Sequence, residues 1–261
     1  MITILDNIST YLPREDLLKN KTILVTGAAA GIGRAVAIGF AEHGASTILL
    51  DKSNSGLNET YDFIAGKQWP LPTLIHLDLA TASESVCNDI ARQIEQEFGK
   101  LNGLLHNAAE LGTLTPIHLY NLETWSKVMR VNFYIPYLLT RACWPLCLQA
   151  ENASVLFTTS EQSRRGKAYW GAYGAAGSAM ENMMQTWSLE TENKSLRFNS
   201  IDPGRTQTDM RSYAYPGDVS NKDIKAPESL RNAYLYLMSS DSIQLRGRQL
   251  TVSNELQLLS E

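Results

Sequence analysis

Short, almost unbroken apolar runs recur along the chain, and longer stretches with apolar residues every three to four positions lie between them. The runs fall at Thr22 to Val25, Ser46 to Leu50, Thr73 to Leu77, Gly103 to His106, Ser154 to Thr158, Leu196 to Ile201 and Gln249 to Val252. Helical patterns lie around Gly33 to His43, Asn54 to Ala65, Ser83 to Phe98, Leu122 to Gln149, Ala172 to Glu192 and Pro227 to Ser239. A strand covered on both faces reads as a continuous apolar run, and parallel neighbours need a crossover, here a helix. The pattern therefore predicts an α/β fold: a doubly wound, parallel, seven-stranded sheet between two helical layers, a three-layer αβα sandwich. In such a sheet a ligand sits beyond the carboxyl ends of the strands. At 261 residues with 44% hydrophobic content, the chain can bury one large core. The expected organisation is an N-terminal extension, 1–20, followed by a single domain, 21–261.

Charge and cysteine usage narrow the function. A net charge of −4 leaves no electrostatic footprint for nucleic acid. The first twenty residues carry Asp6, Arg14, Glu15, Asp16 and Lys19, so they lack the apolar core of a signal peptide. No run reaches the length of a membrane span. Cys87, Cys143 and Cys147 are odd in number and have no His or Asp partners nearby, which points to reduced, buried thiols in a cytoplasmic protein and to no metal.

The clearest local signal is Thr26-Gly27-Ala28-Ala29-Ala30-Gly31-Ile32-Gly33, set between the first predicted strand and the first predicted helix. Gly27 permits a tight turn, Gly31 lets the backbone approach a pyrophosphate, and Gly33 allows close helix-to-strand packing. The anion would rest on backbone N–H groups at the positive end of the helix dipole. Asp51 ends the second strand, eighteen residues beyond Gly33. A carboxylate there can accept both adenosine ribose hydroxyls and repel a 2′-phosphate, which favours NAD over NADP. Lys52 could serve a phosphate or simply be solvated. Asp78, after the third strand, could accept from an adenine amino group or cap the helix that begins near Ser83. Asn107, with Ala108 and Ala109, follows the fourth strand; the small residues let the chain pass under a ribose, and the Asn amide can tie neighbouring strands. For His106 a structural role outweighs a catalytic one.

These residues, together with Asn132, Ser160, Tyr173 and Pro203-Gly204-Arg205-Thr206-Gln207-Thr208, fall in the order and spacing of the short-chain dehydrogenase/reductase family, which the chain resembles from about Asp16 to Val252. Within it, the runs Leu105 to Ala108, Arg165 to Tyr173 and Thr208 to Arg211 look like the YciK-type oxidoreductases. The resemblance implies a Rossmann-like fold, a nicotinamide cofactor and a homodimer or homotetramer built on the long helices that hold Asn132 and Tyr173. It implies Tyr173 as general acid or base, Ser160 as polarising hydroxyl, and Asn132 as part of a proton relay. Pro136 has no N–H, so the Asn132 carbonyl loses its helical partner and can hold a water. Pro203 and Gly204 would face the nicotinamide, and Thr206 or Thr208 would bind its carboxamide or the pyrophosphate. A small carbonyl or alcohol is the implied substrate, under a lid over about 205–225; Trp170 and His118 could border the pocket.

One departure dominates. The family's Tyr-x-x-x-Lys places a cation one helical turn after the tyrosine, whereas here the run is Tyr173-Gly174-Ala175-Ala176-Gly177. A phenol near its ordinary pKa of about 10 is only about one part in a thousand ionised at pH 7. Arg164, Arg165 and Lys167 could stand in or be solvated loop charges, Glu110 is expected to turn to solvent, and Gly177→Lys is expected to carry no helix penalty. Two classes stay open: an NAD(P)-dependent oxidoreductase of weak or atypical turnover, and an NAD(P)-binding pseudoenzyme with an oligomeric or regulatory role.

Overall fold

The computed structural model describes residues 11–192, 195–218, 224–252 and 256–258. Seven parallel strands, β1 (Thr22–Thr26), β2 (Ser46–Asp51), β3 (Thr73–His76), β4 (Gly103–His106), β5 (Ala153–Thr158), β6 (Leu196–Asp202) and β7 (Arg248–Val252), form the sheet. A short eighth strand, β8 (Leu256–Leu258), adds antiparallel to β7, and the order across the sheet is β3-β2-β1-β4-β5-β6-β7-β8. Chain direction across the sheet reverses between β1 and β4, where the connections leave to opposite sides; the crevice at that switch point is where such sheets take ligands.

Strand residues divide between two cores. Val25, Leu49, Leu105, Leu156 and Ile201 pack with Phe40, Leu57 and Leu235 on one face. Their chain neighbours Leu24, Ile48, Leu50, Leu104, Val155 and Phe157 pack with Ile90, Leu139 and Met184 on the other. The period-two alternation of strand side chains feeds both layers at once, which is why the runs look continuous in sequence. The first layer takes α1 (Gly31–Glu42), α2 (Asn54–Ala65) and α8 (Arg231–Met238); the second takes α3 (Glu84–Phe98), α5 (Ile135–Leu148) and α6 (Gly171–Glu190). Leu17 and Leu18, from the predicted N-terminal extension, are buried in the first core; residues 1–10 of that extension lie outside the described residues.

The helix predicted as continuous from Leu122 to Gln149 is broken. It consists of α4 (Leu122–Met129), a π-helical turn over Arg130–Tyr134, and α5. Pro136, at the start of α5, has no N–H to give the Asn132 carbonyl, and next to it Ile135 N–H reaches back to the Arg130 carbonyl. Residues 227–239 likewise divide into a 3₁₀ turn, Pro227–Leu230, and α8. A short helix, α7 (Asp209–Ala214), was not apparent from periodicity; it is a single capped turn and a half, with Thr208 accepting from Arg211 N–H.

Candidate active site

A cleft of about 360 Å³ opens at the switch point. Its floor is the glycine turn: Gly27 and Gly31 have φ of 71° and 52°, left-handed values that side chains rarely adopt. A Cβ on Gly27 would lie 2.8 Å from Ala108 Cα, and one on Gly33 would lie 2.0 Å from the Gly27 carbonyl oxygen. These three positions of the turn therefore favour glycine over any side chain. No side chain caps α1 at Ala30, and no acidic residue occupies its first turn, so its leading N–H groups remain available to an anion. These features, with the cleft they open into, fit the pyrophosphate of a dinucleotide.

The predicted cofactor residues divide by place. Gly27, Gly31, Ile32, Asp51, Asp78, Asn107, Ala108, Ala109, Pro203, Gly204, Thr206 and Thr208 line the cleft. Thr26 and Gly33 lie behind its wall. Thr26 Oγ1 donates to the Leu105 carbonyl and accepts from the N–H groups of Asn107 and Ala108 at 3.0 and 3.1 Å. Asn107 Nδ2 reaches the Thr26 and Gly27 carbonyls at 3.4 Å, clasping β4 to the turn. Asp51 is held by two backbone donors, Ala29 N–H at 3.0 Å and Ser53 N–H at 2.9 Å, which fix its carboxylate at the end of β2. Asp78 does not cap α3; Ser83 does, while Asp78 accepts from Ala80 N–H and keeps a place on the cleft wall. Thr208 sits over the turn, with its Cγ2 3.1 Å from where a Cβ on Gly31 would be.

Ser160 and Tyr173 meet at the inner end of the same cleft. Burial pushes the Tyr173 phenol above its ordinary value, the Asp202 carboxylate adds to the rise, and the Ser160 hydroxyl, hydrogen-bonded to the phenol, opposes both. Asp202 is itself buried and raised by that burial, against the Gly204 N–H bond and the Arg164 charge. The charge acting on Tyr173 is thus negative. The candidate substitutes do not reverse it. Arg164 is spent on Glu181, Thr251 and the Leu250 carbonyl. Lys167 donates to Tyr215 OH at 2.5 Å, and Arg165 is exposed away from the cleft lining.

Asn132 stands behind the cleft. Its side chain clasps the Glu110 backbone, Oδ1 accepting from Glu110 N–H at 2.7 Å and Nδ2 donating to the Glu110 carbonyl at 2.9 Å. Glu110 is not turned to solvent as expected: its carboxylate pairs with Lys127 at 2.9 Å and its side chain is 23% exposed. His106 is structural, its Nε2 2.8 Å from Thr140 Oγ1 and its ring stacked on Phe157; burial lowers it to about 3 and keeps it neutral.

At Gly177 the structure adds a packing cost that helix propensity does not count. A Cβ there would lie 2.0 Å from Ser163 Oγ and 2.7 Å from Ser163 Cβ, so a lysine cannot enter without moving the Ser160 to Arg164 loop. Helix propensity alone hid this cost. Asp202 and Ser163 were not singled out for the site, whereas Arg211 and Tyr215, which line the cleft, fall within the predicted lid segment. Asp202 had a signal, a carboxylate ending a strand just before Pro203-Gly204. Ser163 had none, because its approach to Gly177 is purely tertiary. Among the predicted border residues, Trp170 lines the cleft, packing edge-on to Tyr173 and stacking on Tyr215. His118 is exposed and outside the lining. Residues 219–223 of the predicted lid lie outside the described residues.

Three comparisons place this geometry. The family model described as short chain dehydrogenase matches residues 21–218. The uncharacterized oxidoreductase YciK of Escherichia coli K12 is 39% identical, over 91% of this chain and 93% of its own. A short chain dehydrogenase structure from Pseudomonas syringae is 42% identical with a TM-score of 0.88, covering 92% of this chain and 98% of that one. A short chain dehydrogenase from Escherichia coli CFT073, solved with NADPH, is 38% identical with a TM-score of 0.88 over 92% of this chain and 99% of that one. Among the described residues there is no metal-binding group of His, Cys, Asp or Glu, and no helix is long and apolar enough to cross a membrane.

Proposed function

Because the chain belongs to the short-chain dehydrogenase family, we propose that it is an NAD(P)H-dependent reductase of small carbonyl compounds, with alcohol oxidation the weaker direction. The observation that carries this reading is the placing of Ser160 and Tyr173 together on the wall of the cleft, with burial and the Asp202 carboxylate raising the phenol above its ordinary value. A neutral phenol is the proton donor that carbonyl reduction needs; alcohol oxidation needs the phenolate. When bound, the nicotinamide would supply the hydride. The Ser160 hydroxyl and the Tyr173 phenol would converge on the carbonyl oxygen, Ser160 polarising it and Tyr173 giving up its proton as negative charge develops there. Gly27, Gly31 and Gly33 would shape the pyrophosphate seat, Asn107 to Ala109 would pass under the adenosine ribose, Asp78 would take the adenine amino group, and Pro203 with Gly204 would face the nicotinamide.

The cofactor preference we assign is NAD(H). Asp51 is fixed by two N–H donors at the end of β2, where a carboxylate accepts ribose hydroxyls and repels a 2′-phosphate. The NADPH seen in the Escherichia coli CFT073 relative belongs to that protein. We also propose that residues 21–261 act as one cytoplasmic unit and assemble as a homodimer or homotetramer through α5 and α6, whose outer residues Leu148 and Leu189 are 40% and 76% exposed.

A second reading, a nucleotide-binding pseudoenzyme, is favoured by the filling of the Gly177 space by Ser163. Calorimetric titration with NADH and NADPH, followed by a carbonyl screen that tracks nicotinamide absorbance, separates the two. Turnover lost in Tyr173→Phe supports the reductase, and tight binding without turnover of any carbonyl supports the pseudoenzyme. Absence of binding of either nucleotide at millimolar concentration overturns both.

A further inference from the structure

Ser160 stands just beyond the sheet. Thr159 N–H donates to the Ile201 carbonyl at 2.8 Å, past the final register pair of β5 and β6, Thr158 with Ile201. The chain then runs through a 3₁₀ turn, Glu161–Ser163, on its way to α6. Ser163 N–H closes this turn on the Ser160 carbonyl at 2.9 Å, which shapes the loop without tying it to a neighbouring element. The ties come from α6, the helix that carries Tyr173.

Gly174, Gly177, Ser178 and Glu181 form one stripe of that helix, because positions three, four and seven apart share a face. The two glycines let the backbones close up: a Cβ on Gly174 would lie 2.9 Å from the Gln162 carbonyl oxygen, and one on Gly177 would lie 2.0 Å from Ser163 Oγ. Ser178 Oγ donates to the Ser163 carbonyl at 2.6 Å. Glu181 grips the loop on both sides of Ser160. Its Oε1 accepts from Thr159 Oγ1 at 2.7 Å and from Arg164 Nε and Nη2 at 3.0 Å each. Arg164 is anchored in turn on Thr251 Oγ1 at 2.8 Å and on the Leu250 carbonyl at 3.1 Å. One carboxylate oxygen thus fixes the residue before Ser160 and the residue that closes its turn.

Stability alone is a poor reason for this arrangement. Glu181 is 3% exposed, and its Oε2 is buried with no hydrogen-bond partner among the described residues. A buried carboxylate with an unmet oxygen is destabilising, and well-packed apolar residues commonly serve stability as well as a buried ion pair does. What the ion pair adds is direction, since charge-assisted hydrogen bonds are short and oriented, and here they run to both ends of the segment that holds Ser160. We propose that Glu181, through Thr159 and Arg164, is a positioning residue that holds the Ser160 hydroxyl against the Tyr173 phenol, so that α6 sets the place of both groups. This role rests on the reading of Ser160 and Tyr173 as the pair that acts on the carbonyl.

Thr159→Val deletes one of the two grips with little change of shape, and Thr159→Ser keeps it. In the carbonyl-reduction assay Thr159→Val should lower kcat about ten- to a hundredfold, the cost of misplacing a reacting group by up to about 1 Å. The Kd for NADH should stay unchanged, and Thr159→Ser should recover most of the loss. Glu181→Gln, which keeps an acceptor oxygen without the charge, should also lower kcat. A merely structural role would lower the rate whether or not Ser160 is present. On the residual rate of Ser160→Ala, however, neither Thr159→Val nor Glu181→Gln should have a further effect, because the group they place is gone. Equal losses in the two backgrounds, or a Thr159→Val protein with the kcat of wild type, overturn the proposal, even if Glu181→Gln fails to fold. Crystal structures decide it where no carbonyl is turned over: Ser160 Oγ should stand farther from Tyr173 OH in Thr159→Val than in Thr159→Ser, by about 1 Å. A Ser160 that keeps its place sinks the positioning role alone, and a displaced Ser160 in a chain whose wild type reduces nothing sinks the reductase reading alone.

Discussion

Replacing Gly177 by alanine sets two effects of opposite sign against each other. Inside a helix alanine is favoured over glycine by about 1 kcal/mol, and Gly177 lies well within α6. Against this, the new methyl would meet Ser163 at 2.0 Å from Oγ, 2.7 Å from Cβ and 3.3 Å from Cα. Rotating the hydroxyl away relieves only the first contact. The second requires the loop to move, and that loop is pinned: Ser163 N–H donates to the Ser160 carbonyl at 2.9 Å, and the Ser163 carbonyl accepts from Ser178 Oγ at 2.6 Å. Overpacking of a well-filled site costs about 1–3 kcal/mol, so the contact outweighs the propensity and Gly177→Ala should lose about 1 kcal/mol net. At this chain length that is a fall in Tm of about 2–4 °C. In a Ser163→Gly background the obstruction is gone, and the same alanine should stabilise by up to about 1 kcal/mol. Calorimetric melting of the four proteins of this cycle measures the sign change, with an expected coupling of about 1–3 kcal/mol. A Gly177→Ala protein that melts higher than wild type, or additive effects in the cycle, would refute the contact between Ser163 and position 177.

Because burial and the Asp202 carboxylate hold the Tyr173 phenol above its ordinary value, carbonyl reduction should hold level through neutral pH and fall only in the alkaline range. Alcohol oxidation should climb about tenfold per pH unit over the same range, and a reduction profile already falling below 10.0 would show a positive charge at the phenol. Asp51→Ala should weaken NADH binding by about tenfold or more, the worth of a hydrogen bond to a charged group, and narrow the preference over NADPH; calorimetry that finds the ratio of the two affinities unchanged removes Asp51 as the discriminating residue. Arg164→Ala strands the Glu181 carboxylate, whose side chain is 3% exposed, and should cost about 3–5 kcal/mol in denaturant unfolding. Adding Glu181→Gln should recover part of that loss, and no recovery would mean that Arg164 acts through Thr251 and the Leu250 carbonyl instead.

Fold and cofactor seat were open to sequence reasoning because they rest on short-range rules. Each strand of the parallel sheet faces two cores, so apolar continuity marks it, and the glycine turn needs positive φ at Gly27 and Gly31 whatever the rest of the chain does. The break before α5 was half visible: Pro136 signalled a missing hydrogen bond, but the π-turn that absorbs it, with Ile135 N–H reaching the Arg130 carbonyl, leaves no mark in the apolar pattern. α7 escaped notice because six residues are too few for an apolar stripe to declare itself.

The site at Gly177 shows where one-dimensional reading ends. The absent cation is plain in the sequence, and from it alone Tyr173 reads as a phenol at its ordinary value, with three nearby cations as candidate substitutes. Two of those substitutes are held by contacts across the chain, Arg164 by Glu181 on α6 and Lys167 by Tyr215, and Arg165 is exposed outside the cleft lining. The same folding brings Asp202 from the end of β6 and seats Ser163 against position 177. A missing charge that simply left a gap would tolerate its own restoration, since space for the side chain would remain. Here Ser163 stands in the path of a side chain at 177, so a lysine there is expected to need a second substitution at Ser163.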